Sequence, residues 1–241
     1  MIHDPDGPIA DLDAGESFPP PESIRADGLA AVGGDLSPTR LIEAYSLGFF
    51  PWSGPGEPIL WWNPDPRLVL DPSALRVSRS LRRTLRKGGY LTTYDRNFPD
   101  VMRACALTPR RGEVGSWITP RVLLGYMNLH QLGLAHSVET WHEGELVGGL
   151  YGVLLGRCFF GESMFSTRTD ASKVALVALG SKLQALGVEM IDGQVESPHL
   201  ISLGGVPIPR VEFLRRLREA LESPTDRSTW GLETERGGEP S

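Results

Sequence analysis

The sequence predicts an α+β protein built on a mixed β-sheet that helices flank. Three successive strands, over residues 136–141, 146–155 and 157–166, are predicted to form a meander because only short turns separate them. Residues 171–186 then predict a strongly apolar helix, and residues 188–195 predict the next strand. A strand that follows a helix in this way favours parallel pairing, so the sheet is expected to be mixed.

Composition divides the chain into four parts. Residues 1–17 are acidic and rich in proline, glycine and aspartate, which predicts a loose N-terminal arm. Residues 18–66 predict a small N-terminal α/β domain, in which Ser37 caps a helix. Residues 67–221 hold the mixed sheet and form the predicted catalytic domain, and the polar residues 222–241 predict a disordered tail.

The composition excludes several classes of protein. The chain has 241 residues, a formal net charge of −6 and two separated cysteines, which provide neither a disulfide framework nor a zinc site. Its first residues do not form a signal peptide, and no run is long enough to span a bilayer, so we expect a soluble cytoplasmic protein with no membrane partner. No phosphate-binding loop, dinucleotide fingerprint or metal-ligand cluster is present, so we expect neither a cofactor nor a metal.

A one-sided basic helix is predicted between Ser78 and Gly88. Arginines recur three, four and seven residues apart and therefore share one helix face, while Leu81 and Leu85 lie on the opposite face. A charged face is usually only solvated, but such faces normally mix signs, and this one holds no acid. We therefore expect this basic face to bind an anion such as a phosphate backbone, through Arg76, Arg79, Arg82, Arg83, Arg86 and Lys87.

Aromatic residues on irregular backbone mark the end of the small domain. Three tryptophans and two phenylalanines lie within residues 49–62, interrupted by proline and glycine. Tryptophan is largely buried on average, which favours a small core that seals the two domains. For Trp52 a stacking surface is an equally good interpretation, because a proline and a Gly-Pro-Gly turn surround it.

Polar side chains inside apolar strands indicate where chemistry could occur. Asp192 and Gln194 lie two residues apart on one strand and point to the same face, and Glu162 lies in the neighbouring meander. Such a group is either a structural hydrogen-bonded pair or a functional site. Three glycines in the strand over residues 146–155 predict either a bulge or a ligand held against the backbone.

The meander, its glycine-containing strand and the following helix resemble the arrangement of the GNAT acyltransferases. The pyrophosphate-binding loop of those enzymes is missing, because the segment that enters the helix is Ser166-Thr167-Arg168-Thr169-Asp170-Ala171-Ser172-Lys173. Acetyl-CoA is therefore not expected as the donor, and another activated acyl group is needed.

A set of six motifs occurs in order between about Phe18 and Leu217. They are Gly33-Gly34-Asp35-Leu36-Ser37-Pro38, Phe50-Pro51-Trp52, Leu60-Trp61-Trp62-Asn63-Pro64-Asp65-Pro66-Arg67, Trp117-Ile118-Thr119, Gly161-Glu162-Ser163-Met164-Phe165-Ser166 and Ile191-Asp192-Gly193-Gln194. Together they resemble the bacterial leucyl/phenylalanyl-tRNA–protein transferase family. One difference is Gly193, where some members of that family have cysteine, and a side chain there would face away from Asp192 and Gln194.

The resemblance implies transfer of leucine or phenylalanine, and methionine less well, from aminoacyl-tRNA to a protein with N-terminal arginine or lysine, which marks that protein for degradation by the N-end rule pathway. Because the donor is a tRNA ester, the transfer from ester to amide needs neither ATP nor metal. We expect the enzyme to be a monomer. In this interpretation the basic face binds the tRNA acceptor stem, and Trp52 and Trp117 stack on the terminal adenosine. An apolar pocket would hold the aminoacyl side chain, and its expected residues are Leu150, Met164, Ser166, Leu176 and Ile191.

For the chemistry, our hypothesis is that Gln194 holds the attacking α-amine through its side-chain oxygen and that Asp192 orients and polarises Gln194. Glu162 would hold the α-amino group of the donor. The charged acceptor side chain needs a negative site, for which Glu162 and Asp192 are the nearest candidates. Two alternatives stay open: another tRNA-dependent aminoacyltransferase that acts on cell-wall precursors, and a non-catalytic tRNA-binding module.

Overall fold

The computed structural model describes residues 9–108, 116–225, 230 and 235–236. Within these ranges the strands are β1 (Ala10–Asp11), β2 (Leu29–Val32), β3 (Phe50–Pro51), β4 (Leu60–Trp62), β5 (Arg67–Leu70), β6 (Leu91–Tyr94), β7 (Ala135–His142), β8 (Glu145–Leu155), β9 (Cys158–Ser166), β10 (Met190–Gln194), β11 (Val206–Ile208) and β12 (Glu235–Arg236). The α-helices are α1 (Pro38–Ser46), α2 (Arg79–Lys87), α3 (Phe98–Leu107), α4 (Pro120–Gln131), α5 (Ala171–Ala185), α6 (Pro198–Ser202) and α7 (Arg210–Leu221). None of these helices combines the length and the apolar character that crossing a membrane requires.

The N-terminal part of the chain forms a four-stranded sheet in the order β1-β2-β4-β3. Ser37 caps α1 as predicted, because its side-chain oxygen accepts a hydrogen bond from the backbone N–H of Arg40. Trp61 is buried and packs edge-on against Phe18, which stacks on Phe49. This core continues without a break into the large domain, so the two sheets share one hydrophobic interior.

The large sheet has eight strands in the order β11-β5-β10-β9-β8-β7-β6-β12. Strands β7, β8 and β9 form the predicted antiparallel meander, and β10 pairs in parallel with β9 after the chain has passed through α5. Helix α5 packs on one face of this sheet, and α3 and α4 pack on the other. The predicted α+β class with a mixed sheet is confirmed.

The glycines of β8 allow close contacts between neighbouring elements. A Cβ atom at Gly148 would lie 2.6 Å from the Cβ of Ala171 at the start of α5. A Cβ atom at Gly152 would lie 2.2 Å from the carbonyl oxygen of Phe160, next to the position where the register between β8 and β9 shifts. The register shift opposite Gly152 places its extra residue in β9. The bulge predicted for β8 lies instead at Val147, next to Gly148, where the register between β7 and β8 shifts.

Helix α2 is the predicted basic helix. The Ser78 side chain caps it by accepting a hydrogen bond from the N–H of Leu81 at 3.1 Å. Leu81 and Leu85 are buried against Val174 of α5, which fixes the helix on the outside of the large domain. The six basic side chains of the predicted anion-binding face are all exposed.

Packed residues occur in both segments that the composition assigns to an arm and a tail. Strand β1 pairs with β2, and strand β12 pairs with β6. Trp230, also in the predicted tail, is 1% exposed. A single buried ring among polar neighbours leaves average composition unchanged, which is why composition does not indicate it. The rest of the tail after residue 225, like residues 1–8 of the arm, lies outside the described residues.

Candidate active site

A cavity of about 810 Å³ lies where the small sheet meets strands β8, β9 and β10. Its walls come from residues 50–52 of the small sheet, the three strands, α5 and the segment over residues 195–200. The cavity contains all three residues of the predicted catalytic group, Glu162, Asp192 and Gln194. The shared core of the two sheets is therefore also what brings the walls of this cavity together.

Two neighbouring strands each carry a bulge where they border the cavity. In β9 the register with β8 shifts between Gly161 and Ser163, so Glu162 is the extra residue. In β10 the register with β5 shifts between Asp192 and Gln194. A bulge re-aims side chains locally, and here the side chains of Glu162 and Gln194 meet across the two strands.

Glu162 is the centre of a partly buried hydrogen-bond network in the wall of the cavity. One carboxylate oxygen accepts from the hydroxyl of Tyr45 at 2.6 Å and from Nε2 of Gln194 at 2.9 Å, and the other accepts from the hydroxyl of Tyr126 at 2.8 Å. These donors come from α1, α4 and β10. Sequence reasoning missed both tyrosines as site residues, because Tyr45 is recognisable there only as part of an apolar helix face.

Burial raises the pKa of Glu162 to about 7, although the hydrogen bonds from both tyrosines favour the ionised form. The hydroxyl groups of Tyr45 and Tyr126 also contact each other. Three hydrogen-bond contacts thus link Glu162, Tyr45 and Tyr126 to one another. When Glu162 is ionised, only the two hydroxyl protons are available for these three contacts. Burial also raises the pKa of both tyrosines well above 10, so they remain proton donors. Glu162 therefore changes its charge near neutral pH.

Gln194 is held in an uncommon backbone conformation, with φ at +62°. Such a conformation in a residue other than glycine costs about 1–3 kcal/mol and is found most often at functional sites. The backbone N–H of Gln194 donates to Oδ1 of Asp192 at 2.9 Å, which supports the bulge. Because Nε2 donates to Glu162, the side-chain oxygen of Gln194 is turned away from that carboxylate and is left to accept another hydrogen bond.

Asp192 forms a buried ion pair with Arg67. Nε and Nη2 of Arg67 donate to the two carboxylate oxygens at 2.8 and 2.6 Å, and both side chains are 0% exposed. The guanidinium of Arg67 lies between the rings of Phe50 and Phe213, at 4.8 and 4.5 Å from their centroids. Asp192 therefore reaches Gln194 through the backbone N–H, and the hydrogen bond that would polarise the side-chain amide is not formed.

The apolar part of the cavity contains most of the predicted pocket residues. Leu150, Met164, Leu176 and Ile191 line it, together with three residues that sequence reasoning missed, Leu70, Phe159 and Leu179. The bulge at Glu162 explains why the sequence did not indicate Phe159. It reverses the alternation of side chains along β9 and so puts Phe159 on the same face as Met164.

Ser166 is the predicted pocket residue that the structure does not bring to the cavity. It lies two residues beyond Met164, about 7 Å further along the strand. Its side chain is exposed, and its hydroxyl donates to the carbonyl oxygen of Arg168 at 2.6 Å. The backbone N–H of Ser172 donates to the same hydroxyl, so Ser166 belongs to the connection between β9 and α5.

Both predicted stacking residues border the cavity on the side of the small sheet. Trp52 is 39% exposed, whereas Trp117 is buried. The backbone carbonyl of Trp52 accepts a hydrogen bond from Nε1 of Trp62 at 2.7 Å, which fixes the backbone while the ring stays accessible. For Trp52, a position on the surface of the cavity agrees with a stacking role better than with a sealed core.

The charges around the cavity are separated by sign. Its carboxylates and imidazole are those of Glu162, Asp192, Glu196 and His199, and burial lowers the pKa of His199 so that its ring is neutral at pH 7. Glu196 is exposed and makes no ion pair with any described residue. The basic face of α2 lies outside the cavity, and across residues 9–108 and 116–225 none of its six cations has an acidic partner. Because Arg67 compensates the charge of Asp192, Glu162 and Glu196 are the carboxylates of the cavity that favour a cation, whereas the outer helix favours anions.

Comparison with known proteins identifies related sequences over nearly the whole chain. The family model for the leucyl/phenylalanyl-tRNA protein transferase N-terminal domain matches residues 34–65, and the model for leucyl/phenylalanyl-tRNA protein transferase matches residues 69–218. The leucyl/phenylalanyl-tRNA–protein transferase of Nitrosospira multiformis is 56% identical over 93% of this chain and 97% of its own length. That of Anaeromyxobacter dehalogenans is 53% identical over 97% of this chain and 100% of its own.

Among solved structures, a GCN5-related N-acetyltransferase from Kribbella flavida matches with a TM-score of 0.35 and 14% identity, over 70% of this chain and 60% of that chain. That similarity carries no argument about function. The family models cover most of the chain, and relatives more than half identical span nearly all of it. The chain therefore belongs to the leucyl/phenylalanyl-tRNA–protein transferase family.

Proposed function

We propose that this protein transfers leucine or phenylalanine, and methionine less well, from aminoacyl-tRNA to the N-terminal arginine or lysine of a protein. The observation that carries the proposal is the apolar cavity that ends at the hydrogen-bonded pair of Glu162 and Gln194. An apolar wall next to a carboxylate fits an amino acid, whose side chain is apolar and whose amino group is polar. The product would carry an N-terminal residue that marks it for the N-end rule pathway.

Donor binding follows from three surfaces. The aminoacyl side chain would occupy the apolar part of the cavity, where Met164 can adapt to both leucine and phenylalanine. Ionised Glu162 would hold the donor's α-ammonium group. Trp52 and Trp117 would stack on the terminal adenosine, which is worth about 1–3 kcal/mol per base, while the basic face would contact phosphates of the acceptor stem.

The reaction itself needs little acid–base catalysis. The acceptor α-amine has a pKa of about 8, so a useful fraction is neutral at physiological pH. Its nitrogen would attack the ester carbonyl, forming the amide bond while the bond to the terminal ribose oxygen of the tRNA breaks. The nitrogen loses a proton and the ribose oxygen gains one. The side-chain oxygen of Gln194 would accept a hydrogen bond from the attacking amine, so that the main contribution of the site is positioning.

Recognition of the acceptor's basic side chain falls to Glu196 rather than to the two carboxylates suggested by the sequence. Both oxygens of Asp192 already accept from Arg67, and Glu162, which accepts from three donors, would be occupied by the α-ammonium group of the donor. Glu196 is an exposed carboxylate in the lining of the same cavity, two residues after Gln194. An arginine or lysine that leads the acceptor peptide could therefore pair with Glu196 while its α-amine reaches Gln194.

Replacing Gln194 with alanine should lower kcat about 100-fold, because misplacing the attacking group by about 1 Å costs that much. The measurement is transfer of radiolabelled leucine from leucyl-tRNA to an arginine-initiated peptide. KM for the aminoacyl-tRNA should stay unchanged, and Gln184→Ala, whose amide binds the carbonyl of Pro72 away from the cavity, is the matched control. A Gln194→Ala enzyme with wild-type kcat would refute this role. If the wild-type protein bound aminoacyl-tRNA but formed no product, a non-catalytic tRNA-binding module would be favoured instead.

Because the folded-state pKa of Glu162 is raised from 4.5 to about 7, ionising this group should destabilise the fold. This loss in the free energy of unfolding is absent below pH 4.5 and complete above pH 7, where it is on the order of 3 kcal/mol. Between pH 5 and pH 8, Glu162→Gln should therefore gain stability relative to the wild type, as measured by urea unfolding at each pH. Glu189→Gln, which changes a carboxylate paired with Arg157 at the surface, is the control. Parallel stability profiles for the wild type and Glu162→Gln would contradict the assignment.

Replacing Arg82, Arg83 and Arg86 together with alanine should raise KM for aminoacyl-tRNA and weaken its dependence on salt. Each lost phosphate contact lowers the slope of log K against log salt by about 0.7–0.9, so three contacts lower it by about two to three. The matched control is the triple alanine variant of Arg215, Arg216 and Arg218 on α7, which are paired with acids. An unchanged KM and slope in the first variant would remove the basic face from the donor site.

Replacing Glu196 with glutamine should raise KM for an arginine-initiated peptide about fivefold. This is the change in affinity expected from the loss of a partly exposed ion pair that contributes about 1 kcal/mol. KM for aminoacyl-tRNA should not change, because the donor is held elsewhere. The same Glu189→Gln variant is the control, since its carboxylate lies outside the cavity. Equal acceptor KM values in Glu196→Gln and wild type would exclude Glu196 from acceptor recognition.

A further inference from the structure

The side chain of Trp230 is buried against the large sheet, on the face that carries α5. It lies in the same hydrophobic cluster as Leu150, Leu176 and Ile191 of the aminoacyl pocket. Its ring contacts aromatic side chains of three different strands: Tyr94 of β6, His136 of β7 and Phe159 of β9. Nothing in the proposed chemistry uses Trp230, so its position calls for another explanation.

Phe159 separates Trp230 from the cavity. The ring of Phe159 lines the cavity, whereas Trp230 does not. The two rings are parallel within 3°, with centroids 5.9 Å apart, which is an offset stack. The Phe159 ring in the apolar wall is therefore held in its plane by contact with a residue that does not line the cavity.

The rest of its surroundings hold Trp230 firmly. Its ring stacks on His136 at 4.2 Å and meets Tyr94 edge-on at 6.2 Å. Nε1 donates to the backbone carbonyl of Ser137 at 3.4 Å. Tyr94 is itself anchored, because its hydroxyl donates to the carbonyl of Ala178 in α5. Trp230 is thus fixed to three strands and, through Tyr94, to the helix that forms another wall of the pocket.

We propose that Trp230 is a positioning residue that determines the selectivity of the enzyme among donor amino acids by holding Phe159 in the wall of the aminoacyl pocket. The proposal rests on the proposed function, because it concerns the donor side chain. Without the indole, a void opens behind Phe159, and the phenyl ring can turn into it. The pocket then becomes larger, which favours a phenylalanyl donor and leaves a leucyl donor with fewer contacts.

The test compares kcat/KM for leucyl-tRNA and phenylalanyl-tRNA in wild type and Trp230→Ala. The ratio of phenylalanyl to leucyl transfer should rise about tenfold in the variant, the usual scale of discrimination by size in an apolar pocket. Trp230→Phe retains an aromatic ring against Phe159 and should restore most of the wild-type ratio. Met102→Ala, a change in the core cluster on the opposite face of the sheet, is the control for loss of stability alone and should leave the ratio unchanged.

A folded Trp230→Ala enzyme with the wild-type ratio would overturn the proposal. If the alanine variant does not fold, Trp230→Leu takes its place, and an unchanged ratio in that variant overturns the proposal equally. Failure of the proposed function gives a different result, because wild-type protein would then transfer neither amino acid. A shift of the same size in Met102→Ala would also count against Trp230, since it would assign the effect to general destabilisation.

Discussion

The buried ion pair between Arg67 and Asp192 is the interaction on which the rest of the site depends. Two charges without solvent exposure are tolerable only because the guanidinium and the carboxylate bind in a bidentate arrangement. The guanidinium also lies between Phe50 of the small sheet and Phe213 of α7, so the pair joins three parts of the molecule. Removing one partner would leave a buried charge, at a cost of about 3–5 kcal/mol.

The ion pair also explains how a strained residue is held where the reaction needs it. Asp192, fixed by Arg67, accepts the backbone N–H of Gln194 and so supports the bulge in β10. The bulge in β9 brings Glu162 to meet the amide of Gln194. The surrounding packing compensates for the strain of the left-handed backbone at Gln194, which is the usual condition for such strain to persist. In the proposed function, Asp192 is therefore a positioning residue and Gln194 contacts the substrate.

In the proposed function, the distribution of charge matches the parts of an aminoacyl-tRNA and its acceptor. The exposed arginines of α2 face outward, where phosphates would be found. The cavity carries carboxylates and a neutral histidine, which suits ammonium and guanidinium groups. Burial holds the pKa of Glu162 near 7, so its ionised form is available at neutral pH but weakens the fold. That conflict between stability and charge is typical of a functional site.

The sequence by itself determined the features that depend on local patterns. Alternating side chains predicted the meander, and helical spacing predicted the basic face of α2. Polar side chains inside apolar strands predicted the group of Glu162, Asp192 and Gln194, and ordered motifs predicted the family. Only the tertiary structure decided which groups contact each other. Arg67 lies 125 residues from Asp192, and Tyr45 lies 117 residues from Glu162. The bulge at Glu162 breaks the alternation on which strand prediction relies, which is why Phe159 lines the pocket. Ser166 keeps the expected alternation with Met164 but lies too far along the strand to reach the cavity. The physical reason is that pairing, register and burial are long-range properties, whereas periodicity reports only on neighbours along the chain.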